Sequence, residues 1–255
     1  MKKKQKSMIV VCIVAVVVII AGILGGIFIY KKASEPKEAE PLKIEEEYKE
    51  IQEQVVDKGD DPYESKVNFE ELQAMNPDIY AWITIPGTNV DYPILQSAVE
   101  ADDYYLNTTM DKKVGLPGAI YTEKYNNTSF WDPVTVIYGH TLAEGTMFTE
   151  LHNYTDKAFF DANPYIYIYL PDKALKYQIF SAVAFDDRYI LGNYNFADPS
   201  DFDKYINELN ASMTGNINTD LKVESGSNVI TLSTCIDEFP DQRWLVNAVL
   251  LPDEE

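Results

Sequence analysis

From residue 79 onward the chain is a succession of short β-branched and aromatic runs separated by turn residues, a texture that leaves few folds open. Tyr165-Ile166-Tyr167-Ile168-Tyr169-Leu170 and Lys176-Tyr177-Gln178-Ile179-Phe180-Ser181-Ala182-Val183 alternate in the manner of sheets with one wet face. Pro171-Asp172-Lys173 joins them as a hairpin. Strands are expected near 80–85, 90–95, 118–122, 133–138, 165–170, 174–185, 228–234 and 244–251. Short helices are expected at 100–105, 146–152, 155–161 and 199–212, the last beginning after Asp198-Pro199-Ser200. About eight strands in roughly 190 residues favour a mainly β fold closed into a barrel, because closure removes exposed sheet edges.

The N-terminus has a different character. Met8 to Tyr30 is 23 residues without a charge, preceded by Lys2, Lys3, Lys4 and Lys6 and followed by Lys31 and Lys32. At about 1.5 Å per residue such a segment spans a hydrocarbon core of roughly 30 Å. The excess of lysines before it puts the N-terminus in the cytoplasm. No A-x-A-like site follows the run, which favours an uncleaved anchor over a signal peptide. The expected organisation is a cytoplasmic tail (1–7), a transmembrane anchor (8–30), an acidic spacer (31–66) and an extracellular folded domain (67–255). Within the spacer, Ile44, Tyr48, Ile51 and Val55 fall at helical spacing. A second short helix is expected over 68–75, with Asn68 as N-cap and Glu71 three residues on.

Six of the 21 basic residues and none of the 41 acids lie in residues 1–32, leaving 15 against 41 and a formal charge of −26 on the remainder. So acidic a domain excludes nucleic acid as a partner, since phosphates need lysine and arginine. The two cysteines, Cys12 in the anchor and Cys235 in the exported part, lie on different sides of this division and do not pair. No C-x-x-C or H-x-x-x-H spacing is present, so neither metal nor other cofactor is expected.

Chemistry concentrates in three places. Asn228-Val229-Ile230-Thr231-Leu232-Ser233-Thr234-Cys235 reads as a strand ending on the exported thiol. Arg243 stands eight residues later and opens the last apolar run. Val134-Thr135-Val136-Ile137-Tyr138-Gly139-His140 places a histidine just past another strand, with glycine permitting a sharp exit. A thiol, an imidazole and a guanidinium at strand ends are the parts of nucleophilic acyl transfer. Cys235 is the candidate nucleophile and His140 the candidate proton carrier, while Arg243 by its residues alone reads either as a surface arginine paired with Asp237, Glu238 or Asp241 or as the fork for a developing oxyanion. The other histidine, His152, lies in a helical surface pattern and reads as a solvated or capping residue. Arg188, in Asp186-Asp187-Arg188, reads as a loop salt-bridge partner.

The Thr231-Leu232-Ser233-Thr234-Cys235 box, the Tyr138-Gly139-His140 box and the downstream arginine resemble the landmarks of the sortases, membrane-anchored cysteine transpeptidases of Gram-positive bacteria. Asn76 to Ile94 and Gly145-Thr146-Met147-Phe148 are similar to class B members, and the resemblance covers roughly residues 67 to 251. It implies an eight-stranded barrel with an inserted helix in the 186–227 connection. It also implies cleavage of a C-terminal sorting motif after threonine, a thioacyl enzyme on Cys235, and transfer to a cell-wall peptide amine or its lipid-linked precursor. By the same resemblance Ser233, with Thr231, touches the sorting peptide. Thr141 and Ile236-Asp237 depart from the usual class B residues at the substrate rim. Asp61-Pro62-Tyr63 matches the lid tripeptide of the pilus-polymerising class C enzymes, which keeps that reading open. A binding module with an inert thiol is the remaining alternative.

Overall fold

The computed structural model describes residues 41–252. The expected anchor at 8–30 lies outside the described residues. Among those described, no helix is long and apolar enough to cross a membrane.

Eight strands close into a barrel. They are β3 (Ile79–Thr84), β4 (Asp91–Leu95), β5 (Ile120–Thr122), β6 (Val134–Tyr138), β7 (Tyr165–Tyr169), β8 (Ala174–Asp186), β10 (Val229–Cys235) and β11 (Gln242–Leu250). The order around the barrel is β3-β4-β5-β6-β10-β11-β8-β7, and β7 returns to β3. Pairing of β11 with β8 seals the circle, so every expected strand finds two neighbours. β9 (Gly215–Ile217), which was not expected, attaches to β8 outside the ring. Leu170 and Lys173 close the anticipated β7–β8 hairpin through a 2.8 Å backbone bond.

Alternation along these strands creates two apolar layers. Ile137, Ile230, Leu232, Trp244, Val246 and Ala248 fill the barrel interior. Val134, Val136, Val229, Leu245 and Val249 point outward, into a second cluster. That cluster is covered by the two helices that follow α3 (Lys157–Ala162), namely α4 (Ile190–Asn193) and α5 (Pro199–Asn210), both from the long 186–227 connection. Asp198 caps α5 by accepting from Ser200 N–H at 2.9 Å, and Pro199 sits in its first turn. Phe202, Tyr205, Ile206 and Leu209, spaced at helical intervals, bury one face of α5 on the outside of the barrel.

The N-terminal region is more than a spacer. α1 (Pro41–Val55) buries Tyr48, Ile51 and Val55 against the domain. The Tyr48 ring meets the β4 residue Tyr92 edge-on at 5.1 Å, and Gln52 Nε2 donates to the Asp91 carbonyl at 2.6 Å. β1 (Val56–Asp57) and β2 (Lys66–Val67) pair next to it. α2 (Phe69–Met75) then begins at Asn68, which accepts from Glu71 N–H and returns an amide bond to the Glu71 carboxylate, the expected cap. The domain boundary expected at 67 therefore cuts through a packed unit.

Asp61-Pro62-Tyr63 forms a 3-10 turn whose Pro62 carbonyl accepts from Tyr169 OH at 2.6 Å. Tyr63 lines a groove with Leu175, Ser227, Asn228 and Leu250, where β10 begins and β11 ends. Cys235 and Arg243 stand at the other ends of those strands, about 20 Å away at roughly 3.3 Å per residue. The tripeptide does not cover the thiol, which removes the sequence feature that favoured a class C enzyme.

Candidate active site

The three candidate catalytic residues are brought to one level by strand register. β10 and β11 are antiparallel, with Cys235 directly opposite Arg243. β6 and β10 are parallel, paired from Val134↔Val229 to Tyr138↔Ser233. Gly139 N–H extends that ladder by donating to the Ser233 carbonyl at 3.2 Å. The same offset carried two residues past Tyr138 brings His140 level with Cys235. Residues at one level of adjacent strands share a face, and this is the outward face that α5 covers further along. Beyond that cover Cys235 is exposed, while His140 and Arg243 are half-buried.

The His140 ring is oriented by Leu106, whose carbonyl lies 2.6 Å from Nε2. A carbonyl only accepts, so Nε2 carries a proton and Nδ1 is the ring atom left for proton exchange. The loop after His140 is held from several sides. Phe148 N–H donates to the His140 carbonyl at 3.0 Å, Thr141 bridges to Met147, and Met147 N–H donates to Tyr92 OH at 3.2 Å. Gly139 is required for packing, since its φ is not positive. A Cβ there would stand 2.5 Å from Ile120 and 2.7 Å from Phe148, both interior side chains.

Arg243 Nη1 donates to the carbonyls of Pro240 (3.1 Å), in the β10–β11 connection, and Gln242 (2.7 Å), the first residue of β11. Among the described residues none of Asp237, Glu238 and Asp241 pairs with it, so its charge is not spent on a neighbouring acid. Arg188 is different: it pairs with Asp186 and, at 2.8 Å, with Glu208, in agreement with its reading as a salt-bridge residue.

Ser233 lies one side-chain step below the catalytic level, between Tyr138 and Leu245, and is 6% exposed. Thr231 lies deeper still and is fully buried. Its hydroxyl is bonded to Asn247 Oδ1 at 2.8 Å and Tyr205 OH at 2.9 Å beneath α5. With no surface and a committed hydroxyl, Thr231 anchors the helix to the strand and has no room to touch a peptide.

The residue that sequence reasoning placed wrongly is His152. It sits half-buried in a 3-10 segment, Thr149–Thr155, with its ring engaged across the site and not merely solvated. Its Nε2 lies 3.0 Å from the Cys235 carbonyl and 3.2 Å from Thr141 Oγ1, and its ring packs 6.0 Å from that of Trp244. No local pattern signals the contact with the Cys235 carbonyl, because Cys235 and Trp244 are 83 and 92 residues away in sequence.

The Sortase domain family model matches residues 83–251. The sortase B of Listeria monocytogenes is 32% identical over 175 residues, 69% of this chain and 70% of that protein. The solved structure of Clostridium perfringens sortase B superposes with a TM-score of 0.64 at 29% identity, covering 72% of this chain and 100% of the other. A Streptococcus pyogenes class B sortase involved in pilus biogenesis gives 0.61 at 29% identity, covering 72% of this chain and 98% of its own. With its barrel, the matching family model and these relatives, the chain belongs to the sortase family of cysteine transpeptidases and is similar to its class B members.

Proposed function

We propose that the protein is anchored in the cell membrane by residues 8–30, with its catalytic domain extracellular, and joins secreted proteins to a cell-wall amine. The observation that carries this reading is the single level shared by His140, Cys235 and Arg243. The Cys235 thiolate attacks the carbonyl carbon of the sorting-motif threonine, forming the S–C bond. Arg243 stabilises the resulting oxyanion. His140 gives a proton to the departing amine as the C–N bond breaks, leaving a thioacyl enzyme. An incoming wall-peptide amine then attacks, His140 takes its proton, and the C–S bond breaks to restore the thiolate. Ser233, just below the thiol on the same face, is the candidate peptide contact.

The test is incubation of the full chain in detergent with a library of sorting peptides, with cleavage and the enzyme adduct read by mass. Cleavage after threonine with a thioacyl adduct is expected, and Cys235→Ala should lose both while keeping its fold. Cleavage surviving that substitution refutes the reading. Pilus polymerisation is distinguished in the same assay by the acceptor: a lysine side chain would be used in place of a wall-peptide amine.

A further inference from the structure

We infer that His152 is a positioning residue for the transpeptidation, fixing the main chain of the nucleophile through a hydrogen bond to the Cys235 carbonyl. The inference rests on Cys235 being the nucleophile. It starts from how β10 ends. The Ser233 carbonyl points towards β6, where it accepts from Gly139 N–H. Strand carbonyls alternate in direction, so the Cys235 carbonyl, two residues on, points the same way. At that level β6 has already ended at Tyr138 and supplies no further ladder amide.

Two side chains fill the gap. His152 Nε2 lies 3.0 Å from the Cys235 carbonyl, and because that oxygen only accepts, the ring nitrogen donates. Thr141 Oγ1 donates to the same oxygen at 3.0 Å and lies 2.8 Å from Thr234 Oγ1. The Cys235–Ile236 peptide plane is thereby held by two donors from outside its own strand. Holding that plane anchors the Cys235 Cα, the base from which the thiol projects in one of its χ1 rotamers.

His152 is itself held in place. Trp244 Nε1 donates to the carbonyl of Leu151 at 2.8 Å, and the Trp244 ring lies 31° from parallel to the imidazole. One ring therefore touches the carbonyl of Cys235, the residue after His140 and the residue after Arg243. Displacement of a reacting group by about 1 Å can cost on the order of 100-fold in rate, so this support bears on turnover as well as on folding.

Steady-state kinetics on a cleavable sorting peptide with full-length wild type, His152→Ala, His152→Gln and Thr141→Val test the assignment, alongside thermal unfolding. Gln carries its amide nitrogen close to where His carries Nε2, so it preserves the donor without the ring. His152→Ala should lower kcat by roughly 10- to 100-fold with KM little changed. His152→Gln should stay within about threefold of wild type, as a retained neutral donor allows. If His152→Ala does not fold, the Gln and Val variants decide, with Thr141→Val expected to lower kcat several-fold. Wild-type kcat in His152→Ala, a Gln variant as slow as the Ala variant, or wild-type kcat in Thr141→Val overturns the inference. Failure of the nucleophile reading would appear separately, as cleavage that persists in Cys235→Ala.

Discussion

Cys235 and Arg243 are direct partners across the β10–β11 ladder, so thiol and guanidinium leave neighbouring strands at one level and on one face. The guanidinium is steadied by two carbonyls through a single nitrogen, Nη1. This leaves the rest of the planar fork for a second, geometrically defined acceptor. Arg243→Lys should therefore be nearly as damaging as Arg243→Ala, because a compact ammonium on a flexible stem cannot reproduce a planar fork that reaches the Pro240 and Gln242 carbonyls with one arm and an oxyanion with the other. Both variants are expected to lose on the order of 100-fold in kcat, as removal of an oxyanion donor does. Recovery of most of the rate by lysine would show that charge alone suffices.

Gly139→Ala should damage stability and turnover together. The new methyl would overlap the interior side chains of Ile120 and Phe148, and Phe148 also supplies the N–H that holds the His140 carbonyl. Overpacking of this kind costs about 1–3 kcal/mol, measurable in denaturant unfolding. A variant with unchanged stability and kcat would mean that the core accommodates the methyl by shifting.

Glu123 gives the domain a pH-dependent weakness. Burial raises its carboxyl above the usual range, the hydrogen bond from Tyr189 opposes this, and the charges of Asp102 and Asp103 add to it. A raised folded value means that the folded chain holds the proton more tightly than the unfolded one. The contribution to stability is full below the ordinary value of 4.5 and is lost as pH rises through the folded value. Glu123→Gln removes that loss, so its melting temperature relative to wild type should climb from acid to neutral pH. A difference that stays constant across that range would contradict the assignment.

Removing residues 1–66 should leave a weaker domain than removing residues 1–40. The longer deletion strips Tyr48, Ile51 and Val55 from the barrel, each worth roughly 1.5–3 kcal/mol when fully buried. A fall in melting temperature of at least about 5 °C is expected. Equal melting temperatures for the two fragments would make α1 an accessory.

The barrel was legible in the sequence because its strands alternate strongly or carry β-branched runs, as in Tyr165–Tyr169 and Val229–Cys235. β9 was not: Gly215 and Asn216 have low strand propensity, and they extend only because Ser181–Val183 of β8 offer them a ladder. The positions of His140, Cys235 and Arg243 at strand ends could be read locally, whereas their common level depends on two strand registers. His152 and Thr231 were misjudged for a related reason. Whether a polar side chain faces solvent, a helix or a backbone carbonyl is decided by elements distant in sequence. Gly139 was noticed, but for backbone freedom and not for the interior side chains that crowd it.

Both edges of β10 are taken as far as the thiol, on one side by β6 and then by the Thr141 and His152 side chains on the Cys235 carbonyl, on the other by β11. A substrate cannot extend the sheet beside the thiol by adding itself as a strand, the usual way an extended peptide gains affinity without regard to its side chains. Selectivity must come from side chains and loops above the outward face. A proline in the bound peptide, which forfeits a ladder amide in any strand-addition mode, forfeits nothing in this one.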